Sequence, residues 1–421
     1  MSNVMAIAAG LDYSLALLND GTLVAWGDNS AGQTNLPSGS TNFPVKLIAA
    51  GGFHSMAAIW SPLVQYPVDV SKDLLLIYNS NSLDSSNVCQ YYRTNRPMVS
   101  NANVFAINCT TAEIISPPDF TNIFMAQVQG WLATNPTLRP QYVILFQDIP
   151  SRSSDSPYGG QTNEQPSVQY QLNQWCTTNW HPYVTAINMN GAGGTSDCIT
   201  YINKLTNMAG TNQTLFISAS AAGYTNNTNW YFDYAGSTEF GFPFSSSNLL
   251  INYATNAEYG LTNADLTASV IVSTYPSISC LATNVAGYFT CGYDCTLNTN
   301  MFVDSPPTIQ FFGKSQWYIM STIDSFSGER ISGQAGFLTW FASNSFGGTN
   351  YSNTPVGAIT YVDEPDLLPN GHANPAVYYG EWAAGKSFAI SAWNAAALSA
   401  AQPSGIPATE FQAVGDPLIT K

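Results

Sequence analysis

The second part of the chain alternates short apolar runs with helical patterns. LLLIYNSN (Leu74–Asn81) is a buried strand that ends in turn residues. A helix follows, with Asp84 or Ser85 as its N-cap and Pro97 closing it. NVFAINC (Asn103–Cys109) is the next strand. Phe120, Ile123, Phe124, Val128, Trp131 and Leu132 then recur at helical spacing, which predicts an amphipathic helix over Asp119–Thr134. QYVILFQD (Gln141–Asp148) is a third strand, and this alternation implies right-handed crossovers and a parallel sheet. YVTAIN (Tyr183–Asn188), LFISAS (Leu215–Ser220), WYIMSTID (Trp317–Asp324) and VGAITYVDEP (Val356–Pro365) read as further strands. Helices are expected over Ser196–Met208 and around Gly336–Phe341. Another starts at Asn374-Pro375 and carries Val377, Tyr378, Trp382 and Phe388. Residues 221–312, rich in Gly, Asn, Tyr and Phe, read as an irregular insertion.

The start of the chain has a different period. IAAGLDYSLAL (Ile7–Leu17) returns as IAAGGFHSMAAI (Ile48–Ile59), with DGTLVAWGDNSAGQ (Asp20–Gln33) between them. Asp20-Gly21 predicts a hairpin turn and Leu23–Trp26 a strand. This string resembles the regulator-of-chromosome-condensation type of propeller repeat over residues 5–60. An isolated blade cannot bury both faces, so the segment is either the end of a propeller, with further repeats expected upstream, or a cap packed on the next domain. His54 falls on a repeat position and reads as structural. The expected organisation is thus a propeller-type β repeat over 1–60, a Pro-containing linker over 61–72, and an α/β domain over 73–421.

The α/β domain carries a second resemblance. LLLIYNSNS with CQYYRTNRP, then GAITYVDEP, GKSFAISAWNAA and the closing VGDPL are similar, in order, to a family of uncharacterised bacterial secreted proteins. That family in turn looks like the gingipain-type cysteine peptidases. The resemblance implies a caspase-like fold: a mostly parallel sheet with helices on both faces.

Composition narrows the setting. Charged residues are only 9% of 421, against roughly 25% for an average soluble protein. Uncharged polar side chains must therefore supply much of the wet surface, as on extracellular or cell-surface proteins that work among sugars. A net charge of −15 with no basic run argues against nucleic acid. No apolar stretch approaches the ~20 residues that span a bilayer. The seven cysteines are an odd number. A local disulfide is expected among Cys280, Cys291 and Cys295, and Cys176 and Cys198 could form another.

The peptidase resemblance requires a Cys nucleophile and a His base at neighbouring strand ends. The strand expected to present the Cys instead reads IMSTIDSF, with Ser321 and Thr322. His54, His181 and His372 lie elsewhere, and neither a Cys/His dyad nor a Ser/His/Asp triad is recognisable. Carboxylates make a second constellation, because Asp148, Asp324, Asp363 and Glu364 each follow a predicted strand. On one shared rim, two of them could act as acid and base on a glycosidic bond, or three could hold Ca²⁺ or Mg²⁺. The plainer alternative is that they cap helices and tie loops. Asp416 in the Gly-Asp-Pro segment reads as a turn residue. Trp230, Tyr231 and Tyr234 are candidate sugar-stacking rings, or core of the insertion. The function expected is a non-catalytic extracellular module that binds glycan or protein. A hydrolase using the strand-end carboxylates and a degenerate gingipain-like peptidase are the alternatives.

Overall fold

The computed structural model describes residues 4–18, 23–35, 45–59, 68–153, 166–175, 180–191, 193–209, 215–219, 227–233, 269–273, 281–290, 310–322, 326–330, 336–363, 373–397 and 409–421. The chain divides into two compact units, Met1–Pro67 and Val68–Lys421.

In the first unit, β1 (Val4–Ala9), β2 (Tyr13–Leu18) and β3 (Leu23–Gly27) form an antiparallel sheet. A hairpin of β4 (Val45–Ala50) and β5 (Ser55–Ile59) accompanies it. Alternation sends Tyr13, Leu15, Leu17 and Leu23 to one face, where they pack with Ile48 and Ala50 of the hairpin. Gly27 closes β3 at φ +108, where a Cβ would stand 2.6 Å from the Asp12 carbonyl oxygen, so only glycine fits. The Asp20-Gly21 turn lies outside the described residues.

The second unit contains β6 (Leu74–Asn79), β7 (Asn103–Ile107), β8 (Ile114–Ile115), β9 (Tyr142–Phe146), β10 (Arg152–Ser153), β11 (Tyr183–Ile187), β12 (Ile217–Ser218) and β13 (Asn229–Asp233). It continues with β14 (Ser269–Ser273), β15 (Leu281–Thr283), β16 (Val285–Thr290), β17 (Gln310–Phe312), β18 (Ile319–Thr322), β19 (Gly357–Tyr361), β20 (Phe411–Gly415) and β21 (Ile419–Thr420). Ten of these strands build one sheet in the order β14-β13-β16-β18-β19-β20-β11-β9-β6-β7. Its central strands are mostly apolar and buried throughout, as strands covered on both faces must be.

The sheet is mostly parallel, but it is two parallel halves rather than one. β7, β6, β9, β11 and β20 run one way. β14, β13, β16, β18 and β19 are parallel to one another. The halves meet where β19 pairs antiparallel with β20, Gly357 opposite Gly415 and Tyr361 opposite Phe411. From its outer edge inward, each half places its strands in the sequence order second, first, third, fourth, fifth. The molecule therefore repeats one doubly wound pattern about the β19–β20 seam.

Several expectations change. Residues 221–312 are not simply an insertion, because they supply β13, β14 and β16 of the main sheet. Leu215–Ser220 contributes only β12, which pairs with β21 outside that sheet. The helix after β6 spans Leu83–Asn95, and its N-cap is Ser82, whose hydroxyl accepts from the Ser85 N–H. Asp119–Thr134 is helical but opens with a wider π turn over Phe120–Met125, which buries Phe120, Phe124 and Met125 and leaves Ile123 exposed. The helix from Pro375 stops at Ala383, and a second runs over Phe388–Ala397. Gly385 at φ +86 breaks the pattern between them. The helix Leu83–Asn95 packs on β6 and β9, and Val168–Trp175 and Phe388–Ala397 pack on β11 and β20. No helix among the described residues is long and apolar enough to cross a membrane.

Candidate functional site

Strand connections leave β6 and β9 in opposite directions, since β7 lies outside β6 while β11 lies beyond β9. Such a switch point opens a crevice at the carboxyl ends of the strands. Here the chain places NSNS after β6 and Gln147-Asp148 after β9. Asn79 is fully buried, and its Nδ2 donates to the carbonyls of Thr110 (2.9 Å) and Asp148 (2.8 Å). Its Oδ1 accepts from Asn81 N–H at 3.0 Å, which fixes the turn. Asn81 Nδ2 donates to Asn108 Oδ1 and to the Cys109 carbonyl. Gln147 and Asn190 tie the third and fourth strand ends together through a reciprocal pair of bonds. The exposed rim carries Ser80, Asn81, Asn108, Thr110 and Thr111. It is built of amides and hydroxyls.

Asp148 follows β9 at this switch point and is tied to the β6 end through Asn79 and Ser82. Its φ of +62 is unusual for a residue with a Cβ and marks a sharp turn. Its carboxylate accepts from Ser82 Oγ (2.5 Å), Gln147 Nε2 (3.1 Å) and Arg330 Nη1 (3.2 Å). Arg330 also donates from Nε to Glu113 Oε2 at 2.8 Å, and Glu113 in turn accepts from Ser151 Oγ. The Asp148 side chain is 15% exposed, so water reaches one edge of this group.

Asp148 and Asp363 do not share a rim. β19 runs opposite to β20 and hence to β9, so Asp363, just past β19, lies at the other edge of the sheet from Asp148. β18 is parallel to β19 and ends at that same edge. Asp324 and Glu364 lie outside the described residues. Asp363 is buried, with Arg152 Nη1 at 4.0 Å; Arg152 also donates to the Val362 carbonyl and pairs with Glu329. Strand direction separates acids that the linear pattern had grouped. Among the described residues no three His, Cys, Asp or Glu side chains converge as a metal site.

Other candidates are settled by their surroundings. Ser321, at the end of β18, is buried and hydrogen-bonds to Tyr379 OH at 2.7 Å, and Tyr379 OH in turn bonds the Tyr288 carbonyl. Cys89, Cys109 and Cys198 are free thiols that burial pushes up to about 12, far from a thiolate. Cys198 Sγ accepts from Met189 N–H instead of bridging to Cys176, which corrects that expected pairing. The other proposed bridge, and Cys176 itself, lie outside the described residues. His181 is exposed and its Nδ1 sits 2.9 Å from the Asn173 carbonyl. His372 is outside the described residues.

Trp230 is 1% exposed, edge-on to Tyr379 with Lys421 Nζ over its ring, so it is core rather than a stacking platform. Tyr231 is half-buried and its hydroxyl exchanges bonds with the Thr283 backbone. Tyr234 lies outside the described residues. Asp416 is fully buried, accepting from Arg96 Nη1, Tyr92 OH and Leu418 N–H.

Sequence reasoning missed Asn79, Asn81, Glu113, Asn190 and Arg330. The Asn-rich runs NSNS and NMNG directly after strands were the available signal. Among known families, residues 5–33 match the Regulator of chromosome condensation (RCC1) repeat. Comparison with curated proteins finds no match to the chain.

Proposed function

We propose that this chain is an extracellular or cell-surface binding module without catalysis, and that its larger unit holds a neutral, hydroxyl-rich ligand such as a glycan. The observation that carries this reading is the crevice at the ends of β6 and β9. Its rim offers Asn81, Asn108, Thr110 and Ser80, whose groups both donate and accept, as sugar hydroxyls do. The Asp148 carboxylate is engaged by Arg330, Ser82 and Gln147, an arrangement suited to holding the crevice's shape. The low charge of the chain fits a surface that meets sugars.

We also infer that the scaffold is a caspase/gingipain-like one that has lost its dyad. Support comes from Ser321, which stands where that resemblance would put the nucleophile and is buried in a hydrogen bond to Tyr379. An acid pair for glycoside hydrolysis is the competing reading, and the opposed half-sheets disfavour such a pair between Asp148 and Asp363.

The test is affinity electrophoresis through gels containing neutral soluble polysaccharides, beside an assay for released reducing ends. Retardation is expected on at least one polysaccharide, lost in an Asn81→Ala/Asn108→Ala variant, with no reducing ends released. Reducing ends released by the wild type and not by Asp148→Asn would overturn the reading in favour of a hydrolase. Absence of retardation on every polysaccharide would overturn the glycan assignment and leave a protein ligand.

A further inference from the structure

Among the described residues, the first unit contains one repeat-to-repeat interface and two exposed halves of a second. Aligning IAAGLDYSLAL with IAAGGFHSMAAI places Ile7 against Ile48, Ala9 against Ala50, Tyr13 against His54 and Leu15 against Met56. In the sheet β1–β3, pairing puts Leu15, Leu17 and Leu23 on one face and Ile7, Ala16 and Val24 on the other, with Ala9, Ser14 and Trp26 beside them. The first face is the buried one, and what covers it is Ile48 and Ala50 of the next repeat. Tyr13 OH donates to the His54 carbonyl at 2.5 Å and Ser55 Oγ to the Gln33 carbonyl at 2.6 Å across the same contact.

The repeat makes this contact directional: Ile48 and Ala50 are the inserting side, while Tyr13, Leu15 and Leu17 are the receiving side. The equivalents of each side are uncovered elsewhere in the unit. Ile7, which corresponds to the inserting Ile48, is 78% exposed, with Val24 and Trp26 exposed beside it. Met56, which corresponds to the fully buried Leu15, is 65% exposed, with Phe53 exposed near it. Exposed apolar rows of this kind mark interaction surfaces.

We infer that these two faces are complementary and that a second copy of this chain occupies them head to tail, Ile7 and Trp26 of one copy packing on the Met56 face of the next. The occupant is argued from continuity: the interface between the two repeats of one chain already joins these faces in this order. The contact is heterologous, so it leaves one face of each kind open at the ends of a dimer and can propagate or close into a ring.

The test is sedimentation velocity on the whole chain across a concentration series, with Ile7→Glu and Met56→Glu variants. Wild type is expected to self-associate, and each variant to associate at least about tenfold more weakly. Ile7→Glu keeps the receiving face and Met56→Glu the inserting one, so an equimolar mixture of the two is expected to form a dimer that stops there. A wild type that stays monomeric throughout the series would overturn the inference. So would a mixture that remains monomeric while wild type associates, because the contact would then be symmetric or lie elsewhere. Should a glutamate variant lose its fold by circular dichroism, Ile7→Cys mixed with Met56→Cys gives the same decision. A disulfide between unlike copies is expected, and disulfides only between like copies would overturn the assignment.

Discussion

Asp148 and Asp416 both follow strands of the same half-sheet, and both meet an arginine, but their surroundings differ. Asp416 is sealed from water with Arg96, and it also accepts from Tyr92 OH and Leu418 N–H. Burial, with the Asp416 charge adding to it, holds the Tyr92 and Tyr201 hydroxyls well above the ordinary tyrosine range. Asp148 keeps an edge in water and shares Arg330 with Glu113. A buried pair fixes the fold because either partner alone would be an uncompensated charge. A pair at a wet crevice can hold a loop in shape while tolerating exchange of one partner. An acid at a strand end is therefore not a functional signal by itself; its access to water decides.

The largest break in this comparison should come from Asp416→Ala. It leaves Arg96 buried without its carboxylate and should cost about 3–5 kcal/mol in urea denaturation. A cost near that of a surface substitution would mean that Arg96 finds water or another acceptor.

Lys204 tests the same physics with a cation that, among the described residues, has no carboxylate partner. Its Nζ donates to the carbonyl and hydroxyl of Thr354, and burial lowers its pKa from 10.5 to about 7. Below about pH 7 the amine is protonated in both folded and unfolded chains, and the full cost of burying the charge is present. Between 7 and 10.5 the unfolded chain binds a proton that the folded one does not, so stability rises with pH. Lys204→Met should therefore be more stable than wild type at pH 7, on the order of 2 kcal/mol, with the gap shrinking toward pH 10. A gap independent of pH would show that the amine stays charged when folded.

Asp148→Asn should cost only about 1 kcal/mol, since an amide keeps hydrogen bonding to Ser82 and part of the contact with Arg330. A loss as large as that of Asp416→Ala would erase the distinction drawn between the two sites. The smallest effect is expected from thiol reagents at pH 8. Peptide mapping after iodoacetamide should find Cys89, Cys109 and Cys198 unmodified in the folded chain and alkylated after unfolding. Modification of Cys198 in the folded chain would return a nucleophile to the switch-point region.

Much of the fold can be read along the chain. The runs at Leu74, Tyr142, Tyr183, Ile319 and Gly357 become strands because short stretches apolar on both faces are buried inside a sheet, while the run at Asn103 forms its half-exposed edge. Less of the site was legible. Asn79 acts by reaching Thr110 and Asp148, contacts that depend on strand order and leave no periodic mark. β13 and β16 were hidden in 221–312 because Asn229–Asp233 and Val285–Thr290 are short and flanked by Gly and Asn, like loops.

The residues themselves determine the repeat at the start, the strands and helices of the large unit, and the uncharged polar surface, because each follows from local period or composition. Strand direction across the β19–β20 seam is a property of the assembled sheet. It alone decides that Asp148 and Asp363 stand at opposite edges. Pairing at a distance is the other such property: Arg96 and Asp416 lie 320 residues apart. Nothing in the local pattern of either residue encodes the other. Only burial of the whole core brings the two charges together and makes their pairing obligatory.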